Sequence, residues 1–201
     1  MSSEARRGRT ALVLTASDRS AAGTRHDASG AILAERLSQL GFVVDREIVA
    51  DDRDAIEAAL RVASEIHPLI VTTGGTGLTP RDVTPQATRA VIDYEVPGLA
   101  ETIRAEGRAT TPFAALSRAV VGVRGRTLIV NTPGSPKGAI ESLEAILPVL
   151  DHALETLAGS HDHDAGVAAA GAGDGAAPGD STEDQHAFGR PDPFVDPEDA
   201  D

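Results

Sequence analysis

Three short runs of strand-forming apolar residues alternate with two stretches of helical periodicity, and this order constrains the fold more than any other feature of the chain. The runs are Thr10–Ala16 (TALVLTA), residues 42–49 and Leu69–Thr73 (LIVTT). Between them Ile32, Leu33, Leu37 and Leu40 mark a helix over residues 29–40, and Ile56, Leu60 and Ala63 share one face of a helix over residues 52–66. Strands apolar on both faces in a βαβαβ order predict a parallel sheet covered by helices on each side.

The later elements change the pattern. Thr84 is a good N-cap and Pro85 a good first helical residue, so a helix is expected over residues 84–92. Pro97-Gly98 punctuates the chain before a helix near residues 99–106. Residues 119–124 and 127–131 are strand-like and separated by a Gly125 turn, too short a link for a parallel crossover; they predict an antiparallel hairpin. Residues 138–158 place Ile140, Leu143, Ile146, Leu147, Leu150, Leu154 and Leu157 on one helical face, with Pro148 expected to kink or divide the helix.

Composition sets the outer limits. The chain has 201 residues, enough for one domain, and a formal net charge of -13. From residue 159 onward eleven acidic residues face the single Arg190, while residues 1–158 hold twenty acidic and seventeen basic residues. The expected organisation is a flexible N-terminus over residues 1–9, a folded domain over 10–159 and a disordered acidic tail over 160–201, where apolar residues are too sparse to offset ordering entropy. The run His161, Asp162, His163, Asp164 reads as a metal-binding stretch or a solvated one. An acidic surplus repels phosphate backbones, and four Phe with one Tyr offer no stacking platform, so nucleic acid is not an expected partner. The absence of Cys excludes a zinc ribbon, a disulfide framework and a thiol nucleophile. No signal-like core or long apolar span occurs, so the expectation is a soluble cytoplasmic protein without a membrane partner.

Parallel sheets bind ligands at the carboxyl ends of their strands, which singles out four loops. Residues 72–82 (TTGGTGLTPRD) follow the third run. Gly74, Gly75 and Gly77 let backbone N–H groups approach an anion, Thr73 and Thr76 add hydroxyls, and Asp82 adds a carboxylate. The spacing matches neither a P-loop nor GxGxxG, and a tight strand-to-helix turn would use the same residues. Residues 131–138 (NTPGSPKG) combine Asn131 and Ser135 with a stiff Pro-Gly backbone and Lys137 before the last helix. Residues 16–30 carry Ser17, Asp18, Arg19, Asp27 and Ser29, and Asp51 and Asp52 follow the second run. Some of these are natural helix caps. Carboxylates, Gly-rich amides and hydroxyls on one sheet edge favour a phosphorylated ligand with a divalent cation.

The segments TTGGTGLTPRDVTPQAT, VPGLAE, TPFAALSR and VNTPGSPKG occur in this order within residues 10–157. Together they resemble the molybdopterin-binding family of molybdenum cofactor biosynthesis, which includes the MogA and MoaB proteins and the G domains of gephyrin and its plant counterpart. The resemblance implies a three-layer α/β/α domain, usually a homotrimer, and for the MogA-like branch an Mg2+-dependent adenylyl transfer from ATP to molybdopterin. Carried over by position, Asp51 and Asp82 look like the essential carboxylates, with Asp82 on the metal. Thr76 with Gly75 and Gly77 looks like the phosphate-contacting loop. Ser117 and Arg118, with Asn131, Pro133, Gly134, Ser135 and Lys137, look like substrate contacts, and Ser17, Asp18, Thr73, Gly74 and Arg81 complete the expected nucleotide and molybdopterin site. Thr132 departs from the Leu or Met of many members. The resemblance leaves open a MoaB-like binding protein with weak or no transfer, and it implies hand-over of product to a molybdate-insertion protein. A CinA-type nucleotide pyrophosphatase fits the NTPGSPKG and TPFAALSR pair less well, and a purely structural oligomerisation domain gives no use to carboxylates collected at strand ends.

Overall fold

The computed structural model describes residues 9–159. Its six strands are β1 (Thr10–Ala16), β2 (Val43–Val49), β3 (Leu69–Thr73), β4 (Tyr94–Glu95), β5 (Val121–Arg124) and β6 (Thr127–Thr132), in the spatial order β2-β1-β3-β6-β5-β4. Four of them, β2, β1, β3 and β6, run parallel, with Val13 opposite Val71 and Val71 opposite Val130. The expected hairpin closes through Gly125, whose φ of +56° suits glycine, and pairs Val121 with Val130. All four parallel strands therefore deliver their carboxyl ends to one edge.

Period-2 alternation builds the three layers. On one face Ala11, Val13, Leu69, Val71, Leu128 and Val130 pack with Leu33 and Leu37 of helix α2 (Ala28–Gln39), Ala100 and Ile103 of α5 (Pro97–Thr110), and Leu143, Ile146 and Leu150 of α6 (Pro136–Ala158). On the other face Leu12, Leu14, Ile70 and Ile129 pack with Ile56 and Leu60 of α3 (Arg53–Ser64) and Ala87 and Val91 of α4 (Thr84–Val91). Neighbouring residues of one strand thus serve opposite cores.

Several local expectations need correction. β2 is not buried on both faces: it pairs with β1 alone at the sheet edge, most of its residues are exposed, and Val43 is 62% exposed. Thr84 is not an N-cap. Val83 occupies that position without a side-chain bond, and the Thr84 hydroxyl instead donates to the Gly74 carbonyl at 2.9 Å. The last helix begins at Pro136, capped by Ser135, and runs through Pro148 undivided. The one-turn helix α1 (Asp18–Ala21), strand β4 and the 3-10 turn Pro112–Leu116 were not anticipated. Arg9, placed in the flexible N-terminus, is held by an ion pair with Asp151 and lies 4.8 Å from the Phe42 ring centre. The expectations for residues 1–8, for the tail from residue 160 and for the His161–Asp164 run lie outside the described residues.

Candidate active site

Loops following β1, β2, β3 and β6 enclose a polar cavity of about 230 Å³ at the carboxyl edge of the sheet. Its wall includes Ser17 and Asp51 from the first two loops, Thr73, Gly74, Gly75, Arg81 and Asp82 from the third, and Gly134 from the fourth. The first two loops brace each other. The Asp18 N–H donates to the Asp51 carboxylate at 3.0 Å, and the Asp51 N–H donates back to the Asp18 carboxylate at 3.0 Å. The second oxygen of Asp18 pairs with Arg81, tying the third loop to the first.

The Gly-rich segment turns where only glycine fits. Gly74 and Gly75 have φ of +97° and +62°. A Cβ on Gly74 would collide with the Ala16 carbonyl, and one on Gly75 with the Thr84 hydroxyl. The Gly74 N–H is taken by the Thr132 carbonyl at 3.3 Å, whereas the Gly75 N–H makes no hydrogen bond among the described residues. Burial opposes ionisation of Asp82, but the Thr79 hydroxyl and amide, the Gly77 N–H and the charge of Arg118 outweigh it and hold the pKa below the ordinary carboxylate value. The Thr79 hydroxyl and amide reach the same Asp82 oxygen at 2.6 and 2.8 Å.

A second cavity, of about 270 Å³ and mainly apolar, lies across the wall formed by the third and fourth loops. Thr76, Gly77, Pro133 and Ser135 line it, together with Ser117, Phe113 and Leu116 from the segment after α5. Phe113 is 74% exposed, so its ring stands at the rim.

The expected residues thus divide. Ser17, Asp51, Thr73, Gly74, Gly75, Arg81, Asp82 and Gly134 meet in the polar cavity, and Thr76, Gly77, Ser117, Pro133 and Ser135 in the apolar one. Four line neither. Asp18 acts through Asp51 and Arg81. Arg118 donates its Nε to the Gly77 carbonyl at 2.6 Å, its Nη2 to the Asp82 carbonyl and its N–H to the Thr76 carbonyl, so it braces the Gly-rich loop from behind. Asn131 is buried, donating to the Thr72 and Thr88 hydroxyls at 3.0 and 2.9 Å and accepting from the Val120 N–H. Lys137 is the second residue of α6 and points to Glu141 at 3.7 Å.

Polar-cavity residues not singled out as ligand contacts include Thr15, Arg25, His26, Asp27, Ser29 and Thr79. Asp27 caps α2 at the Gly30 N–H (2.8 Å), accepts from Thr15 and pairs with Arg46 at 2.7 Å. Burial raises its pKa, while the Gly30 N–H, Arg46 and Thr15 together lower it by more. The position of Arg25, Asp27 and Ser29 after β1, and of Thr79 after β3, was the signal that could have marked them.

Residues 12–152 match the family model of the probable molybdopterin binding domain. A molybdopterin adenylyltransferase of Helicobacter pylori is 41% identical over 154 aligned residues, covering 74% of this chain and 88% of that protein. Among solved structures, the molybdopterin biosynthesis enzyme MoaB of Thermus thermophilus superposes with a TM-score of 0.71 at 52% identity, covering 75% of this chain and 97% of that one. The Mog protein of Mycobacterium ulcerans gives a TM-score of 0.71 at 45% identity, covering 74% and 99%. With its motifs, its sheet order and its carboxylate-lined strand ends in place, the chain belongs to the molybdopterin-binding family of molybdenum cofactor biosynthesis.

Proposed function

We propose that this chain transfers an adenylyl group from ATP to the terminal phosphate of molybdopterin in the presence of Mg2+, giving adenylylated molybdopterin and pyrophosphate. The observation that carries this reading is the meeting of Asp51 and Asp82 with the Gly74–Gly75 turn in one polar cavity. The activity named for the Helicobacter relative supports it.

The donor set fits Mg2+. That ion prefers oxygen ligands and is commonly held by one or two carboxylates completed by substrate phosphates and water. Asp51 and Asp82 supply two carboxylates to the polar cavity, and no group of three or more potential protein ligands occurs among the described residues. Asp82, with Asp51 lining the same cavity, would hold the ion, whose charge would neutralise phosphate oxygens during transfer.

The protein's own work is placement. A phosphate monoester has a second pKa of about 6 and is largely dianionic at neutral pH, so no side chain has to remove a proton. One of its oxygens bonds to the α-phosphorus as the bridging α–β P–O bond breaks, and the electron pair leaves on pyrophosphate. Gly75 lines the cavity and its free N–H would stabilise developing charge, Arg118 fixes the loop that carries Asp82, and Asp18 fixes Asp51. The apolar cavity would receive the pterin end of molybdopterin, with Thr76, Ser117 and Ser135 supplying a few oriented polar groups.

We also propose that the chain works as a cytoplasmic homotrimer that passes its product to a molybdate-insertion protein. No helix among the described residues is long and apolar enough to cross a membrane, and exposed Val43 and Ile48 on the edge strand offer apolar surface to another copy. Light scattering that returned a monomer mass at micromolar concentration would refute the trimer. The second reading is a MoaB-like molybdopterin-binding protein with weak or no transferase activity; the Thermus structure at 52% identity bears the MoaB name.

Incubating the purified chain with ATP, Mg2+ and molybdopterin separates the two. The first reading predicts adenylylated pterin and pyrophosphate in equal amounts. The second predicts bound, unmodified molybdopterin.

A further inference from the structure

The polar cavity contains two guanidinium groups, and they are in different states. Arg81 is neutralised by its ion pair with Asp18. Arg25 lines the same cavity, yet its side chain makes no ion pair or hydrogen bond among the described residues. Its backbone is nonetheless fixed. The Arg19 carbonyl accepts from the N–H groups of both Thr24 and Arg25 and from the Thr24 hydroxyl, and two residues later Asp27 is locked by Gly30, Thr15 and Arg46. A braced loop therefore holds an unpaired, exposed guanidinium at the cavity mouth.

The charge inventory gives that cation a task. Of the three carboxylates in the wall, Asp27 is already paired with Arg46, while Asp51 and Asp82 are the pair proposed for the metal. Resting on the adenylyl-transfer reading, a nucleotide triphosphate entering this cavity brings more negative charge than one divalent ion cancels. Guanidinium groups bind phosphate oxygens through paired, charge-assisted hydrogen bonds. We propose that Arg25 is a phosphate clamp for the β- and γ-phosphates of the nucleotide, the part that departs as pyrophosphate. Standing on the exposed rim, it meets the end of the nucleotide that must reach solvent. Lys137, the cation expected from the sequence for an anionic ligand, is directed instead to Glu141 and lines neither cavity.

The test is calorimetric binding of Mg-ATP, Mg-pyrophosphate and AMP to the full chain and to its Arg25→Ala and Arg25→Lys variants. The clamp predicts that Arg25→Ala weakens ATP and pyrophosphate by about 10- to 100-fold, the scale of losing a hydrogen-bonded charge, and AMP by less than about twofold. Arg25→Lys should recover part of the loss. Equal weakening of ATP and AMP, or unchanged pyrophosphate binding, would overturn the assignment. If the unmodified chain bound pyrophosphate but not ATP, the adenylyl-transfer reading would fall while the pyrophosphate arm still decided the clamp. Binding of neither would overturn both.

Discussion

The two cavities share a wall and differ in almost everything else. Gly74 and Gly75 face the polar side while Thr76 and Gly77 face the apolar side, and in the opposing loop Gly134 and Pro136 are polar-side residues while Pro133 and Ser135 are apolar-side ones. One cavity gathers carboxylates and guanidinium groups from three loops, and the other gathers Phe113, Leu116, Ile103 and Pro133 with a few hydroxyls. On the proposed reading, charge neutralisation and transfer would belong to the first and shape recognition to the second. On the same reading, the phosphate end of molybdopterin would lie on the polar side and its ring system on the apolar side.

The largest expected effect comes from the polar side. Asp82→Asn keeps the shape but removes a charge, and turnover should fall about 100-fold or more, the scale of losing a preorganised electrostatic contact. Asp51→Asn should lower turnover less, because an amide oxygen still accepts from the Asp18 N–H. Steady-state pyrophosphate release measures both. Next comes the wall itself. Arg118→Ala frees the carbonyls of Gly77 and Asp82, and kcat should fall about 10-fold or more with KM for molybdopterin little changed, since misplaced groups cost rate before affinity. A raised KM at unchanged kcat would instead make Arg118 a ligand contact.

On the apolar side the effect is smaller. Leu116→Ala removes apolar surface from a half-open wall and should raise the molybdopterin Kd about 3- to 10-fold while leaving the rate at saturation unchanged. Fluorescence titration would read it. If ATP affinity fell instead, the assignment of the two cavities would have to be exchanged.

How much of this division was legible follows from where the information lies. The order of β1, β2, β3 and the hairpin could be read because apolar runs and Gly125 are local signals, and the convergence of Asp51 and Asp82 followed from strand ends in a parallel sheet. The edge position of β2 was less legible, since a strand's neighbours are set by distant pairing. Strand β4 has two residues and exists through the register Tyr94–Val123. Arg118 and Asn131 carry side chains typical of ligand contacts, yet both are turned toward backbone and buried hydroxyls, and no spacing rule distinguishes those fates. The alternation of 74–75 against 76–77 depends on two positive φ angles, which a pair of glycines permits but does not dictate.

Acid titration probes the rear support of the polar cavity. Asp27 has a folded pKa below its ordinary value, so its contribution to stability is present above the unfolded value of about 3.9 and is lost as pH falls through the folded one. The melting temperature of the wild-type chain should drop over that acid range, and Asp27→Asn should be less stable at neutral pH with a flatter acid limb. Thermal melts from pH 7 to 2.5 would show parallel curves if Asp27 were not the group responsible. The smallest effect is expected at Lys137→Ala, where turnover and molybdopterin affinity should each change by less than about twofold, as for an exposed i,i+4 pair.

The division of labour is tested most directly by measuring, on one preparation of Asp82→Asn, both the molybdopterin Kd and the single-turnover rate of adenylyl transfer at saturating ATP and Mg2+. The account predicts an unchanged Kd with a rate reduced about 100-fold or more. A near-normal rate, or a loss confined to Kd, would contradict it and leave the binding-protein reading in its place.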